Sequence, residues 1–170
     1  MDKTSKNLRS VGRFYISIYL ASYWGNAEQM RTMCTLRNIL FGMGHDVFAP
    51  YFDAGVLTKE NDSSEKRKEI YLKNIEAIQR SDLVVAVIDD FDPGVIFEFG
   101  YAVGWAGANC AGAPKILAYS DVPGRGLNVM LRIPAWGFAN GIDQLRYQIY
   151  RFSHGMGSYD FVEFEKGDVS

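Results

Sequence analysis

Six consecutive apolar residues, Leu83-Val-Val-Ala-Val-Ile88, leave no polar position in their run. A strand of that kind has no face to offer water, so it belongs in a parallel sheet covered by helices on both sides. The rest of the chain supplies matching parts. Phe14–Ala21, His45–Ala49, Lys115–Tyr119 and Ile133–Phe138 are further strand-like runs, the last three short. Between them lie helical patterns. Asn26 with Gln29 makes an N-cap and capping box ahead of Met30, Met33, Leu36, Leu40 and Met43, with Gly42 and Gly44 to close the helix. Ser64–Arg80, Val95–Ala106 and Ile142–Phe152 read as three more helices, and residues 51–63 as an irregular loop. Strands alternating with helices predict a single-domain α/β fold, doubly wound, with a mainly parallel five-stranded sheet and flanking helices, of the flavodoxin or Rossmann kind. In such a sheet ligands bind beyond the carboxyl ends of the strands. The segments 22–26, 50–55, 89–98 and 120–130 are therefore expected to gather at one edge.

Residues 1–12 are polar and basic and read as a flexible tail; residues 13–170 form the folded domain. With 48% hydrophobic and 22% charged residues, the 170-residue chain has an ordinary globular composition. Its net charge of −2 and absence of a basic run argue against nucleic acid as a partner, because phosphate neutralisation supplies most of that affinity. Nothing approaches the ~20 apolar residues of a membrane span, and the start lacks the apolar core of a signal peptide. A cytoplasmic location is expected. Cys34 and Cys110 are far apart, with no ligand or disulfide spacing, and Cys34 reads as a core residue. His45 and His154 match no triad or metal spacing and read as structural or surface residues. No metal or organic cofactor is expected.

The densest acidic cluster is Asp89, Asp90, Asp92 and Glu98, running from a strand end through a Pro93-Gly94 turn into a helix. A glutamate near a helix start is commonly an exposed residue stabilising its own helix. Glu98, however, is flanked by Ile96, Phe97, Phe99 and Tyr101, and a carboxylate in apolar company is costly without a purpose. The alternative is chemistry at a sugar's anomeric carbon, which uses two carboxylates around an oxocarbenium-like transition state. Asp92 and Glu98 are such a pair across a turn.

The segment Asp92-Pro-Gly94-Val-Ile-Phe-Glu98-Phe-Gly100-Tyr-Ala102 resembles the D-x-G-x-x-x-E-x-G-x-A motif of nucleoside 2-deoxyribosyltransferases. Ile18-Tyr19-Leu-Ala21 looks like that family's first strand, with Trp24 in the loop after it, and Asn128-Val-Met130 looks like its N-x-M segment. The resemblance covers most of residues 14–140 in the right order. It implies a retaining, two-step exchange of the base on deoxynucleosides, in the service of nucleoside salvage. Glu98 would form a covalent deoxyribosyl-enzyme, Asp92 would pass a proton to and from the base, and Tyr19 would orient Glu98. Trp24 and Phe52 would wall the base. It also implies a homo-oligomer, dimer-based and up to a hexamer, in which Asn128 and Met130 complete a neighbour's pocket. The partners would be deoxynucleosides and free nucleobases. One departure is Asn74, where the family often has an aspartate. A carboxylate only accepts hydrogen bonds whereas an amide also donates, so the base preference is affected.

Two other functions fit the same residues. One is hydrolysis of the N-glycosidic bond of nucleosides or their 5′-monophosphates, for which Ser120 and Arg125 could hold a phosphate. The other is a binding protein without turnover, which would not need Glu98, Asp92 and Tyr19 together. The glycine-rich stretch Gly100–Gly107 is expected to allow close packing against the sheet or another subunit. Trp105, Tyr147, Tyr150 and Phe152 read as core or interface, and Tyr159–Phe164 alternates like an edge strand.

Overall fold

A computed structural model describes residues 15–108 and 112–159. In chain order the elements are β1 (Ser17–Ala21), α1 (Ala27–Gly42), β2 (Asp46–Phe48), α2 (Pro50–Asp53), α3 (Ser64–Arg80) and β3 (Leu83–Val87). They continue with α4 (Pro93–Ala108), β4 (Lys115–Ser120), α5 (Val129–Arg132), β5 (Gly137–Asn140) and α6 (Ile142–Ser153). The five strands form one sheet in the order β2-β1-β3-β4-β5, and every neighbouring pair is parallel. The doubly wound α/β architecture expected from the apolar runs is the one observed.

Side-chain alternation along the strands builds two core layers. Ile18, Leu20, Leu83, Val85, Leu117 and Tyr119 face α1 and α6, meeting Met33, Leu36 and Leu40 of the first and Leu145 and Ile149 of the second. The intervening residues, Tyr19, Ala21, Val84, Ala86, Ile116 and Ala118, meet Ile78 of α3 and Val95, Phe99 and Ala102 of α4. Burial on both faces is why β3 tolerates no polar residue.

The helix starts follow their caps. The Asn26 side chain accepts from the backbone N–H of Glu28 and Gln29, while the Gln29 side chain accepts from the Asn26 N–H, closing the expected capping box. Gly44, at φ 86°, carries the chain out of α1. His45 is buried and Cys34 packs partly buried against the α1-side core, both as expected of structural residues.

Three details differ from the sequence reading. The first strand begins at Ser17 rather than Phe14. Pro50 not only ends β2 but opens the short helix α2, where the fixed φ of proline suits the first helical position and Asp53 accepts from the Ala49 N–H at 2.8 Å. The fifth strand lies at Gly137–Asn140, because Asn128 caps α5 and the chain turns at Ile133 and Pro134 before it reaches the sheet. Ile133, expected inside a strand, is 77% exposed.

Gln148 of α6 is fully buried and its amide acts like a peptide group. It donates to the carbonyls of Phe138 and Tyr159 at 3.0 and 2.6 Å and accepts from the Tyr159 N–H at 3.0 Å. Ser158 lies so close to Gly137 that a Cβ there would meet its Cβ at 3.1 Å. Ser158 and Tyr159 are thereby fastened beside β5. The tail at residues 1–12 and residues 160–164 of the expected edge strand lie outside the described residues. No described helix is long and apolar enough to cross a membrane.

Replacing Gln148 by Leu removes three bonds to backbone groups in a dry setting. The expected loss is about 2 kcal/mol of unfolding free energy, measured by urea denaturation. A loss below about 0.5 kcal/mol would mean that the clamp contributes no more than an ordinary surface contact.

Candidate active site

The parallel register places β1 beside β3, and α4 crosses the sheet face that carries Tyr19. Tyr19 is fully buried, and its hydroxyl donates to Glu98 Oε1 at 2.6 Å. Phe48, the register partner of Tyr19 on β2, stacks on its ring with centroids 5.6 Å apart and planes 14° from parallel. The phenol is therefore immobilised before it meets the carboxylate. Glu98 lies in the second turn of α4 and is largely buried, so it is not the exposed first-turn glutamate of the simpler reading.

Burial pushes the Glu98 carboxyl up to about 7, the Tyr19 hydrogen bond pulls it down, and the negative charge of Asp92 raises it further. Burial, reinforced by the neighbouring Glu98 charge and hydrogen bond, holds the Tyr19 phenol well above its ordinary range, so Tyr19 stays a donor.

Asp92 caps α4. Its Oδ1 accepts from the N–H groups of Gly94 and Val95 at 2.8 and 3.0 Å. The motif's glycine has a steric reason, since a Cβ at position 94 would sit 2.9 Å from that oxygen. Both cap bonds use Oδ1, leaving Oδ2 with no hydrogen-bond partner among the described residues.

Beyond the strand ends lies a cleft of about 380 Å³, bounded by Ser22, Asn26, Gln29, Asp89, Asp92 and Arg125 among others. Three of the four expected segments line it; residues 50–55 do not. Its walls are cross-tied. Asp89 accepts from the Ser120 hydroxyl and from the Asp121 N–H at 2.9 Å, which fixes the exit of β4 to that of β3. The Tyr119 hydroxyl donates to Asp121, and Gln29 donates to Asp90 at 2.6 Å.

Of the residues singled out from the sequence, Tyr19, Glu98 and Asp92 come together. Trp24 is half-buried against the α1-side core, edge-on to Tyr51 at 5.7 Å. Phe52 also meets Tyr51, at 5.0 Å, and carries the Arg37 guanidinium 4.5 Å above its ring. No hydrogen bond or ring contact among the described residues joins Trp24 or Phe52 to Glu98. Asn74 is partly buried on α3 rather than solvated, and its Oδ1 is buried with no hydrogen-bond partner. Asn128 caps α5 by accepting from the Met130 N–H at 2.9 Å, and Met130 is 76% exposed.

The sequence reading missed Phe48, whose role follows only from strand register. It also missed the cross-ties of Asp89 and Asp121, which join residues about thirty positions apart. Gly100, Gly104 and Gly107 are not packed against the sheet, because a Cβ at any of them would meet nothing within 4 Å. Along α4, Phe97, Tyr101 and Trp105 instead stack in sequence at 6.3 and 6.4 Å, with Tyr71 of α3 beside Phe97 at 6.4 Å. Among the described residues no group of three or more His, Cys, Asp or Glu is arranged to hold a metal ion.

Comparison with known proteins agrees with this arrangement. The sequence model of the family described as nucleoside 2-deoxyribosyltransferase matches residues 18–130, a span that holds Tyr19, Asp92, Glu98, Asn128 and Met130. A 2-deoxyribosyltransferase from the psychrotolerant bacterium Bacillus psychrosaccharolyticus superposes with a TM-score of 0.66 at 23% identity, over 85% of this chain and 93% of that one. A conserved protein from Enterococcus faecalis V583 superposes with a TM-score of 0.62 at 19% identity, over 80% and 98% of the two chains. At such identities these likenesses establish the fold. Comparison with curated proteins returns no significant match.

The raised carboxyl has a stability consequence. A group at about 7 when folded and near 4.5 when unfolded binds its proton more tightly in the folded state. The stability it contributes is full below about 4.5 and is lost as pH rises through 7, at a cost on the order of 3 kcal/mol. Glu98→Gln should therefore raise Tm relative to wild type at pH 8 and do so much less at pH 5. Equal differences at both pH values would contradict a desolvated carboxyl.

Proposed function

Since the chain belongs to the nucleoside 2-deoxyribosyltransferase family, we propose that it exchanges the base of 2′-deoxynucleosides through a covalent deoxyribosyl ester on Glu98. The observation that carries this reading is the 2.6 Å bond from the buried Tyr19 to Glu98 Oε1. It anchors one carboxylate oxygen and leaves the other to attack C1′. Desolvation makes that oxygen a better nucleophile than one in water, and a carboxyl poised near 7 is ionised in a large fraction of molecules at neutral pH.

In the first step the C1′–N bond breaks and its electron pair goes to the base nitrogen. Asp92 passes a proton to that nitrogen through Oδ2, and Glu98 closes an ester to C1′. In the second step the nitrogen of an incoming base attacks C1′, its proton passes to Asp92, and the ester bond returns its pair to Glu98. Two inversions at C1′ retain the configuration. Asp92 suits the proton role because its cap bonds hold one oxygen and leave the other available.

Asn74 contributes a buried acceptor that awaits a donor, which suits an N–H of the base. Trp24 and Phe52 are assigned to the outer wall of the base site. Asn128 and Met130 are assigned to a second copy's pocket, in a dimer-based homo-oligomer. The exposure of Val129, Met130 and Ile133, apolar residues on or just after a short helix, supports that assignment. The alternative of a 5′-monophosphate hydrolase has less support. Ser120 is fully buried and committed to Asp89, and Arg125 stands among Asp89, Asp92 and Asp121, carboxylates that repel a phosphate.

Incubation with thymidine and adenine should yield 2′-deoxyadenosine and thymine in equal amounts by chromatography, and Glu98→Ala should yield neither while keeping the wild-type circular dichroism. Normal exchange by that variant would remove Glu98 as nucleophile; thymine without a new nucleoside would turn the reading to hydrolysis. Asp92→Asn preserves an acceptor for the helix cap but cannot carry the proton. Its exchange rate should fall at least ~10²-fold, and a wild-type rate would take Asp92 out of the chemistry.

A further inference from the structure

The helix that carries Glu98 is poor in charge. Across the 16 residues of α4, Glu98 is the only charged side chain, whereas α1 and α6 carry three each and α3 carries eight. One face of α4 packs on the sheet through Val95, Phe99 and Ala102. The opposite face, with Phe97, Gly100, Gly104, Gly107 and Ala108 at helical spacing, is exposed. A helix that is apolar all round belongs inside a protein. Here it lies in an outer layer, and a Cβ at Gly100, Gly104 or Gly107 would meet nothing within 4 Å. The chain itself therefore supplies no cover for this face.

The exposed face also has relief. Phe97, Tyr101 and Trp105 form a row of stacked rings, and the glycines form a row without side chains beside it. A ridge and a groove thus lie next to each other on one helix. The Tyr101 hydroxyl already accepts from the Gln79 amide at 2.6 Å, so its ring can be covered without leaving that oxygen unpaired. Tyr71 and Leu72 of α3 and Phe97 are each about half exposed, and Val129, Met130 and Ile133 are more so. The last three stand on the same side of the sheet, where Leu127 and Leu131 join the α4 core layer. Together the six present on the order of 600 Å² of side-chain surface, about 100 Å² each. A standard interface takes about 800 Å² from each partner, a little over half of it apolar.

We propose that the outward face of α4, with Tyr71 and Leu72 of α3 beside it, is the interface with a second copy of this chain, related by a twofold axis that passes beside Gly104. Two features select a second copy over an unrelated partner. A ridge and a groove on the same helix are self-complementary, so a twofold sets the rings of each copy into the glycine row of the other. Near such an axis each residue faces its own counterpart, and any charge there repels its like. The exposed face of α4 has no charge to repel, and Glu98 is turned inward to Tyr19. Around it α3 exposes both signs, Lys68 and Lys73 with Glu69 and Glu76, so no field of one sign opposes the approach. The contact does not depend on the chemistry proposed at Glu98, and a chain without turnover still pairs.

The test is sedimentation velocity on the purified 170-residue chain. At about 100 µM, where even a micromolar pair is formed, it should sediment as a pair or as a larger assembly of pairs. Gly104→Lys and Gly104→Glu should each raise the dissociation constant of the pair at least ~10-fold, because like charges then face each other across the axis. Neither change disturbs the chain's own packing, since a side chain at 104 enters open space and both residues favour a helix more than glycine does. Helical circular dichroism should therefore stay at the wild-type level or rise. Mixing the two variants in equal amounts brings unlike charges together and should restore the pair. A wild-type chain that sediments as a single copy overturns the proposal and leaves the face to a different protein or a lipid surface. Variants that sediment like wild type overturn it as well, and so does a mixture that stays as single copies.

Discussion

A carboxyl group kept largely from water needs a donor, and the donor that Glu98 has is a phenol 79 residues earlier in the chain. Most of the architecture can be traced from that pairing. Tyr19 reaches Glu98 because β1 lies directly beside β3 and because α4 returns across the same face. It stays there because Phe48 covers its ring from the next strand. Shifting β1 by one residue would send Tyr19 to the α1 face, since alternate residues point to opposite sides of a strand. The register that fills two core layers is thus also the register that orients the carboxylate.

Asp92 ties local structure to the electrostatics of Glu98 in the same economical way. One oxygen starts α4, and its charge raises the Glu98 carboxyl. Gly94 suits the turn because a Cβ there would sit 2.9 Å from the capping oxygen. The D-x-G part of the motif therefore has a backbone explanation that holds apart from the proton role proposed for Asp92. The Asp89 and Asp121 ties then hold the neighbouring loops, so the cleft is bounded by groups satisfied within the fold, with Arg125 Nε as an exception.

Much of this was legible in the chain itself. The run Leu83–Ile88 declared a strand buried on two faces, and the Asn26/Gln29 box marked the start of α1. The fifth strand was misplaced because Ile133 looks like a strand residue, whereas the Asn128 cap and Pro134 spend that stretch on a helical turn. The Glu98 neighbourhood was legible only as a conflict between charge and apolar context; its partner came from family resemblance, because no local pattern links residues 19 and 98. Phe48 was invisible for a related reason, as its contact follows from strand register and not from spacing. Gly100, Gly104 and Gly107 were read as packing against the sheet or another subunit, and within the chain they face open space. Spacing reports that a helix face is smooth and does not report what lies against it.

The pairing of Tyr19 with Glu98 also bears on how the chain reaches its folded form. Parallel strands joined by crossovers bring distant segments together late, since the chain entropy of closing such loops is spent before their contacts form. Glu98 keeps its water until α4 docks on β1 and β3, so the dehydration of this carboxyl belongs to the docking event itself. An ionised Glu98 resists that event and a protonated one does not. Acidification toward pH 5 therefore shifts the balance toward the docked helix, and the carboxylate proposed as nucleophile is, for the fold, a destabilising charge that neutral pH imposes.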